Sequence, residues 1–300
     1  MKTPIISIVL PSYNGERYIA QSIQSVIDQT EQDWELIIVN DCSTDNTLKI
    51  CESFAERDKR IKIISNKTNK KLPASLNVGF TAAKGKYLTW TSDDNYYKSD
   101  ALKKLSNYLD KHPDVDLVSM AFDYIDENDR FIGCSNDKCC APALILANNV
   151  GAAFMYRKSI ADKVGEYDTN TFCAEDYDYW CRIALAGKIE YAPDNIYVYR
   201  MQHNSLTATK QSQIKEKTKY IQRKYAKAFF DKFKFTRKDQ ELFYIKVLGE
   251  INSKYAFKIF GQKIYKLFVK MFCCLIFYPA SLRRKIRSKL LGGDNFSFLK

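Results

Sequence analysis

Two carboxylates stand side by side in the segment Thr91-Ser92-Asp93-Asp94-Asn95. Adjacent carboxylates repel unless a cation or a donor group lies beside them. Hard oxygen ligands next to a diphosphate make a site for Mg²⁺ or Mn²⁺, in which the protein supplies only one or two ligands. No Gly-x-Gly-x-x-Gly follows the first apolar run, and no Gly-Lys-Ser/Thr phosphate loop occurs. A nucleoside diphosphate bound here would therefore have its charge met by metal, not by glycine-rich backbone. Two more polar clusters accompany the acidic pair: Pro11-Ser12-Tyr13-Asn14 and Asn40-Asp41-Cys42-Ser43-Thr44-Asp45. Any one of the three alone reads as turn chemistry, since Asn, Asp and Ser are ordinary loop and cap residues.

The elements between the clusters turn them into a site. Residues 5–10 are a short apolar, β-branched run, suited to a strand buried on both faces. Helical spacing follows over 17–28, with Ile19, Ile23 and Ile27 on one side. The same alternation continues: strand 34–39, helix 44–57, strand 61–64, helix 74–83, strand 87–90, a helix capped by Ser99 and running to about 109, and strand 115–121. Strands alternating with helices of this length predict a parallel sheet covered by helices, an α/β architecture. Ligands of such sheets bind at the carboxyl ends of the strands. Each polar cluster directly follows a strand, so all three converge on that rim.

With these elements in order, the first two hundred residues or so resemble a family-2 glycosyltransferase with the GT-A fold. The resemblance is carried by Ser7-Ile8-Val9-Leu10-Pro11-Ser12-Tyr13-Asn14 with Glu16, by Ser25-Val26-Ile27-Asp28-Gln29-Thr30 with Trp34-Glu35, and by Asn40 to Asp45. It continues through Ala74-Ser75-Leu76-Asn77-Val78-Gly79, Gly85-Lys86-Tyr87, Ser92-Asp93-Asp94, Gly165-Glu166-Tyr167-Asp168 and Glu175-Asp176-Tyr177-Asp178-Tyr179-Trp180. It implies an inverting, metal-dependent transferase of the bacterial surface-polysaccharide type, using a nucleotide-diphosphate sugar, with uracil the usual base. Pro11, Tyr13 and Glu16 would line the base and ribose pocket, Asp41 would bond the base, and Asn77 and Asp93 would join the donor site. Asp94 would ligate Mg²⁺ or Mn²⁺, with His203 against the metal or diphosphate. Asp176 would be the base that deprotonates the acceptor hydroxyl, with Glu175 and Trp180 toward the acceptor. Two positions depart from the pattern: Cys42 replaces a common Gly, and Ser92 stands where many relatives have the first Asp. Plainer readings accompany these roles. Glu175 and Asp176 also complement a helix N-terminus, Trp180 alone reads better as core, and His112 reads as surface. The aromatic setting of Tyr177, Tyr179 and Trp180 suits contact with a sugar ring.

The charge is divided along the chain. Of 47 Lys and Arg against 35 Asp and Glu, 23 basic and 6 acidic residues lie between Thr209 and Lys300, so the part before it is net negative. That excludes a protein coated with basic charge for nucleic acid, and the basic end carries no helix-turn-helix or zinc pattern. The expected organisation is a catalytic domain at 1–210, with a nucleotide-sugar half to about 120 and an acceptor half beyond, followed by a basic helical extension at 211–300. In that extension Leu242, Ile245, Leu248, Ile251 and Tyr255 recur at helical spacing. The charge-free run 271–282 is too short to span a bilayer and is followed by Arg283-Arg284-Lys285. Such a stretch suits a helix lying on an anionic membrane surface; a helical bundle against the catalytic domain or a sister chain is the alternative. The nine cysteines are odd in number and form no C-x-x-C pair. They read as mostly buried small residues in a reducing, cytoplasmic setting without a signal peptide, at the inner face of the membrane. The expected partners are the donor, a saccharide or lipid-linked saccharide acceptor, and a possible second copy of the chain. A non-catalytic nucleotide-sugar or glycan-binding module of the same fold is the competing class.

Overall fold

Strands β1 (Ile6–Ser12) and β2 (Trp34–Asn40) are buried at every position, as unbroken apolar runs in a sheet covered on both faces must be. β3 (Ile61–Ser65) and β4 (Tyr87–Trp90) complete a parallel set in the order β3-β2-β1-β4. Helices α1 (Ile19–Ile27), α2 (Thr47–Arg57) and α3 (Leu72–Ala82) make the crossovers. The computed structural model describes residues 3–135 and 139–247. These fall in two compact units divided between Thr236 and Arg237.

The register places the site. Ser12 pairs with Asn40 at the ends of β1 and β2, and Val9 pairs with Trp90 at the end of β4. All three polar clusters leave the sheet on one edge.

The second half adds β5 (Tyr96–Tyr97), α4 (Ala101–Lys111), β6 (Leu117–Ile125), β7 (Phe131–Cys134), β8 (Phe154–Arg157), α5 (Lys158–Val164), α6 (Glu175–Ala186) and β9 (Ile189–Arg200). The sheet runs β3-β2-β1-β4-β8-β6-β9-β5, with β7 off this path and paired to the last residues of β6, Asp123 to Ile125. Most paired residues are parallel, but β8 is antiparallel to both β4 and β6 and lies between them. Short antiparallel strands such as β5 and β8 leave almost no periodic signal in a sequence. α4 begins at Ala101 with Asp100 in the N-cap position. Ser99, the expected cap, instead accepts the Thr30 N–H on its carbonyl.

The short helix α7 (Leu206–Thr209) leads into α8 (Gln211–Phe233). α8 belongs to the first unit, which extends past the expected boundary at 210 to Thr236. The reason is an apolar face: Ile221, Ala226, Phe229 and Phe230 are buried. Lys232 of α8 also donates to the carbonyls of Ala184, Leu185 and Gly187, closing the C-terminal end of α6. The second unit contributes α9 (Arg237–Lys246), which includes Leu242 and Ile245. The remaining positions of that spacing pattern, the run 271–282 and the basic cluster after it lie outside the described residues. No helix among the described residues is long and apolar enough to cross a membrane.

The described cysteines are all free thiols. Only Cys51, Cys139 and Cys181 are buried, whereas Cys134 and Cys140 are exposed, so the expectation of mostly buried cysteines does not hold for these seven. The two exposed ones sit at the end of an edge strand and just before a 3-10 turn (Ala141–Ile145), where no layer covers them.

Candidate active site

The loops after β1 and β2 are knitted into one surface. Asn14 takes a left-handed φ of 56°, which Asn tolerates better than most residues. Its N–H reaches Ser43 Oγ at 3.0 Å, and its Oδ1 accepts the Thr44 N–H at 2.8 Å. Gly15 N–H donates to Thr47 Oγ1 at 2.8 Å, and Glu16 Oε2 accepts the Asn46 N–H at 2.9 Å. Pro11 is buried beneath this surface, while Tyr13 is 52% exposed above it. Asp41 lies below the rim at 4% exposure. Its Oδ1 accepts from Asn66 Nδ2 and Lys70 N–H, both at 2.8 Å, and its Oδ2 from Lys71 N–H at 2.9 Å. The loop 66–71 is thereby folded around Asp41. One lone pair on Oδ2 remains for a ligand, by count of its acceptor capacity.

Asp93 and Asp94 stand at the end of β4, both half-buried. Ser12 Oγ donates to Asp93 Oδ2 at 2.5 Å. Gly15 presses on the same carboxylate: a Cβ there would come within 2.2 Å of Asp93 Oδ2. Burial, with the Asp94 charge next, pushes the Asp93 carboxyl up to about 7 against the Ser12 bond. Burial likewise raises Asp94, whose Oδ2 accepts the Gln202 side-chain amide.

Arg200 answers this charge only through space, its guanidinium partly offsetting the rise at Asp94. Arg200 is fully buried nearby, but its Nε donates to the Asp94 carbonyl at 3.1 Å and its Nη2 to Gln21 and Asp129. An acidic pair of raised pKa, bonded by Ser12 and Gln202 while the Arg200 guanidinium is directed to other partners, fits a divalent ion. Among the described residues, no three His, Cys, Asp or Glu side chains converge to hold a metal by themselves. The fit is to an ion that the protein holds with one or two carboxylates. His203 follows Gln202 in the chain. Its side chain is exposed, and its N–H donates to Glu127 Oε1 at 2.9 Å.

Asp176 stands on the first turn of α6. Its Oδ1 accepts its neighbour Tyr177 N–H at 2.7 Å, and its Oδ2 accepts Asn148 Nδ2 at 2.8 Å. Burial outweighs these two bonds and holds its carboxyl above the ordinary range. Glu175 is 5% exposed, its Oε2 has no hydrogen-bond partner, and burial beside Asp176 holds it well above the carboxylate range. Tyr199, near the end of β9, is raised by burial and also by the charges of both Asp94 and Asp176. Both acidic centres thus lie near enough to Tyr199 for their charges to act on it.

Two expected roles change, and Trp180 takes the place in the core that reads better for it. Trp180 is wholly buried and packs edge-on against Phe154 at 4.6 Å between ring centres, so no acceptor reaches it. Tyr177 and Tyr179 are buried too, and Tyr179 stacks on Tyr167 at 4.0 Å. This aromatic group is the core beneath α6, not a sugar platform. Asn77, expected at the donor, lies inside α3. Its Nδ2 donates to the Tyr167 carbonyl at 2.9 Å and its Oδ1 accepts the Tyr167 N–H at 2.8 Å. Both ends of its amide join α3 to the segment leading into α6. Asn148 and Gln202, which touch the two acidic centres, carry no signal in the sequence beyond being polar residues in loops.

The model of the family described as "Glycosyl transferase family 2" matches residues 7–165. The chain is a family-2 glycosyltransferase. An uncharacterised glycosyltransferase of Haemophilus influenzae is 30% identical over 243 residues, covering 76% of this chain and 75% of that one. Glycosyltransferase GlyG of Streptococcus pneumoniae is 28% identical, covering 68% and 73%. Among solved structures, residues 1–349 of Staphylococcus aureus TarS in complex with UDP-GlcNAc align over 97% of this glycosyltransferase and 93% of that chain. The TM-score is 0.60 at 18% identity, a likeness of fold. Against a longer TarS chain the match covers 52% of that chain's length, with a TM-score of 0.62.

Proposed function

We propose that this glycosyltransferase moves a sugar, with inversion, from a UDP-sugar to a hydroxyl of a glycan or lipid-linked saccharide in surface-polysaccharide synthesis. The observation that carries the reading is the acidic pair Asp93-Asp94 on the rim where the loops after β1, β2 and β4 leave the sheet, Asp93 bonded by Ser12 and Asp94 by Gln202, with Asp176 on the first turn of α6 as a second acidic centre. The solved relative bound to UDP-GlcNAc supports a uridine donor by analogy. Pro11, Tyr13, Glu16 and the free lone pair of Asp41 take the nucleoside. Asp93 and Asp94 take the diphosphate side, and Asp94, with His203 as the second candidate ligand, would hold Mg²⁺ or Mn²⁺. The ion supplies charge neutralisation of the departing diphosphate.

Asp176 accepts the acceptor's hydroxyl proton as the new C1–O bond forms and the C1–O bond to phosphate breaks, with UDP leaving. A base with a pKa above the ordinary carboxylate range holds that proton more firmly. Glu175, buried and without a hydrogen-bond partner for Oε2, is the neighbouring carboxylate that the resemblance assigns to the acceptor.

Two substitutions test the roles separately. Asp94→Ala is expected to abolish the Mn²⁺-dependent part of UDP binding in calorimetry, with secondary structure unchanged by circular dichroism. Asp176→Asn keeps size and loses basicity. It should bind UDP as before and transfer sugar at least ~100-fold more slowly, the scale of a positioned general base. A donor screen with Mn²⁺ identifies the sugar. Turnover by Asp176→Asn near the parent rate would move the base to another residue.

A further inference from the structure

Asp176 hangs between two elements, and one helix grips both. The first is α6 itself. Its Asp178 is fully buried and accepts from Lys224 Nζ at 3.0 Å and Tyr225 hydroxyl at 2.9 Å, both on α8, and from Arg182 Nε at 2.9 Å. Lys232, two turns further along α8, caps the other end of α6 through three carbonyls. The second element is the segment after the Ala141–Ile145 turn, which carries Asn148. There Gln222 of α8, 3% exposed, donates to the Leu146 carbonyl at 2.9 Å. Asn148 follows two residues later and donates to Asp176 Oδ2.

We propose that Asn148 is the positioning residue of Asp176, and that α8 braces it by holding Asn148's segment through Gln222 and helix α6 through Lys224 and Tyr225. The inference rests on Asp176 as the reacting base. A carboxylate on the first turn of a helix can rotate about its side-chain torsions. The Tyr177 N–H fixes one oxygen and the Asn148 amide fixes the other, which leaves a lone pair on each oxygen to take a proton. The brace also makes the catalytic centre depend on a helix that charge alone assigned to a separate extension.

The test reads the carboxylate directly. The Asp176 side-chain carbon is followed by NMR titration in the full-length chain with labelled aspartate, its signal assigned by loss in Asp176→Asn. A hydrogen bond to the charged form lowers a pKa, so Asn148→Ala should move the Asp176 titration to higher pH. Glu175 and Cys181 on α6, Tyr167 before it and Tyr199 on β9 also act electrostatically with Asp176 or border it. They are unchanged in this variant, so the shift belongs to Asn148. The double variant Gln222→Leu with Lys224→Met should shift Asp176 in the same direction, with the Asp93 signal unmoved. UDP affinity should be kept in both, and UDP-GlcNAc turnover, where this donor is used, should fall roughly 10-fold or more for loss of a bond to a charged group. Should Asn148→Ala not fold, Asn148→Ser, too short to reach, replaces it. An Asp176 titration unmoved in the Asn148 variant overturns the positioning role. A shift there with none in the double variant overturns the brace. Unreduced turnover by Asp176→Asn instead overturns the base assignment on which both rest.

Discussion

At the scale of single residues the site is defined by carboxylates that have been taken out of water without full compensation. Asp93, Asp94, Glu175 and Asp176 are all raised, and burial is the largest cause in each. Such groups cost stability wherever they are ionised in the unfolded chain but held protonated in the folded one. Glu175 is the clearest case, because its Oε2 has no partner. Its folded pKa lies above the ordinary 4.5, so its favourable contribution is complete below that value and is lost as pH rises through the folded pKa. Glu175→Gln removes the titration. Its melting temperature should match the parent's near pH 4 and exceed it increasingly as pH is raised above 4.5, by scanning calorimetry in one buffer series. A difference that shrinks with rising pH would show that Glu175 is ionised and paired in the folded chain. Gly15 is the uncharged counterpart at the other centre. The missing side chain lets its loop lie on Asp93, and any Cβ forces one of the two aside.

At the scale of elements, what could be read from the sequence divides along the sheet. The four strands β3-β2-β1-β4 and the helices between them were legible, since long apolar runs alternating with helical spacing carry their own period. The three polar loops followed from those strands, and with them Asp93 and Asp94. The acidic start of α6 was legible too. The antiparallel strand β8 was not, and neither was β9, whose partners lie far away in sequence. Tyr177 and Tyr179 read as contacts to a sugar and Trp180 alone reads better as core, and only the packing of α6 on β8 puts all three in the core. The same holds for α8. Its charge set it apart as tail, whereas its buried residues Ile221, Phe229 and Phe230 make it part of the first unit. Burying each such side chain contributes about 1.5–3 kcal/mol, a large share of a typical domain's stability. A chain ending at 210 should therefore melt well below one ending at Thr236, or fail to fold, whereas the latter should keep metal-dependent UDP binding. Equal melting of the two would mean that α8 contributes nothing to the first unit.

At the scale of the whole molecule the charge is the remaining guide. Between Thr209 and Thr236 the chain carries 9 basic and 2 acidic residues, and from Arg237 to Lys300 it carries 14 and 4. The basic excess thus begins on α8, where Lys215, Arg223 and Lys227 are exposed, and continues through the second unit's sequence. For an enzyme proposed to act on a lipid-linked acceptor, an anionic bilayer is the natural counter-surface. Each Lys or Arg near such a surface adds about 1 kcal/mol, and the attraction fades as salt shortens the Debye length below ~10 Å. The aromatic run at 271–282 would add apolar insertion that salt does not weaken. The full chain should sediment with phosphatidylserine-containing vesicles at low salt and be only partly released at high salt. A chain ending at Thr236 should sediment weakly at low salt, through α8 alone, and be released fully at high salt. Neither should sediment with neutral vesicles to the same extent. Equal, salt-insensitive behaviour of the two chains would place the affinity in the first unit. No sedimentation of the full chain at low salt would leave a helical bundle, against this chain or a second copy, as the role of the extension.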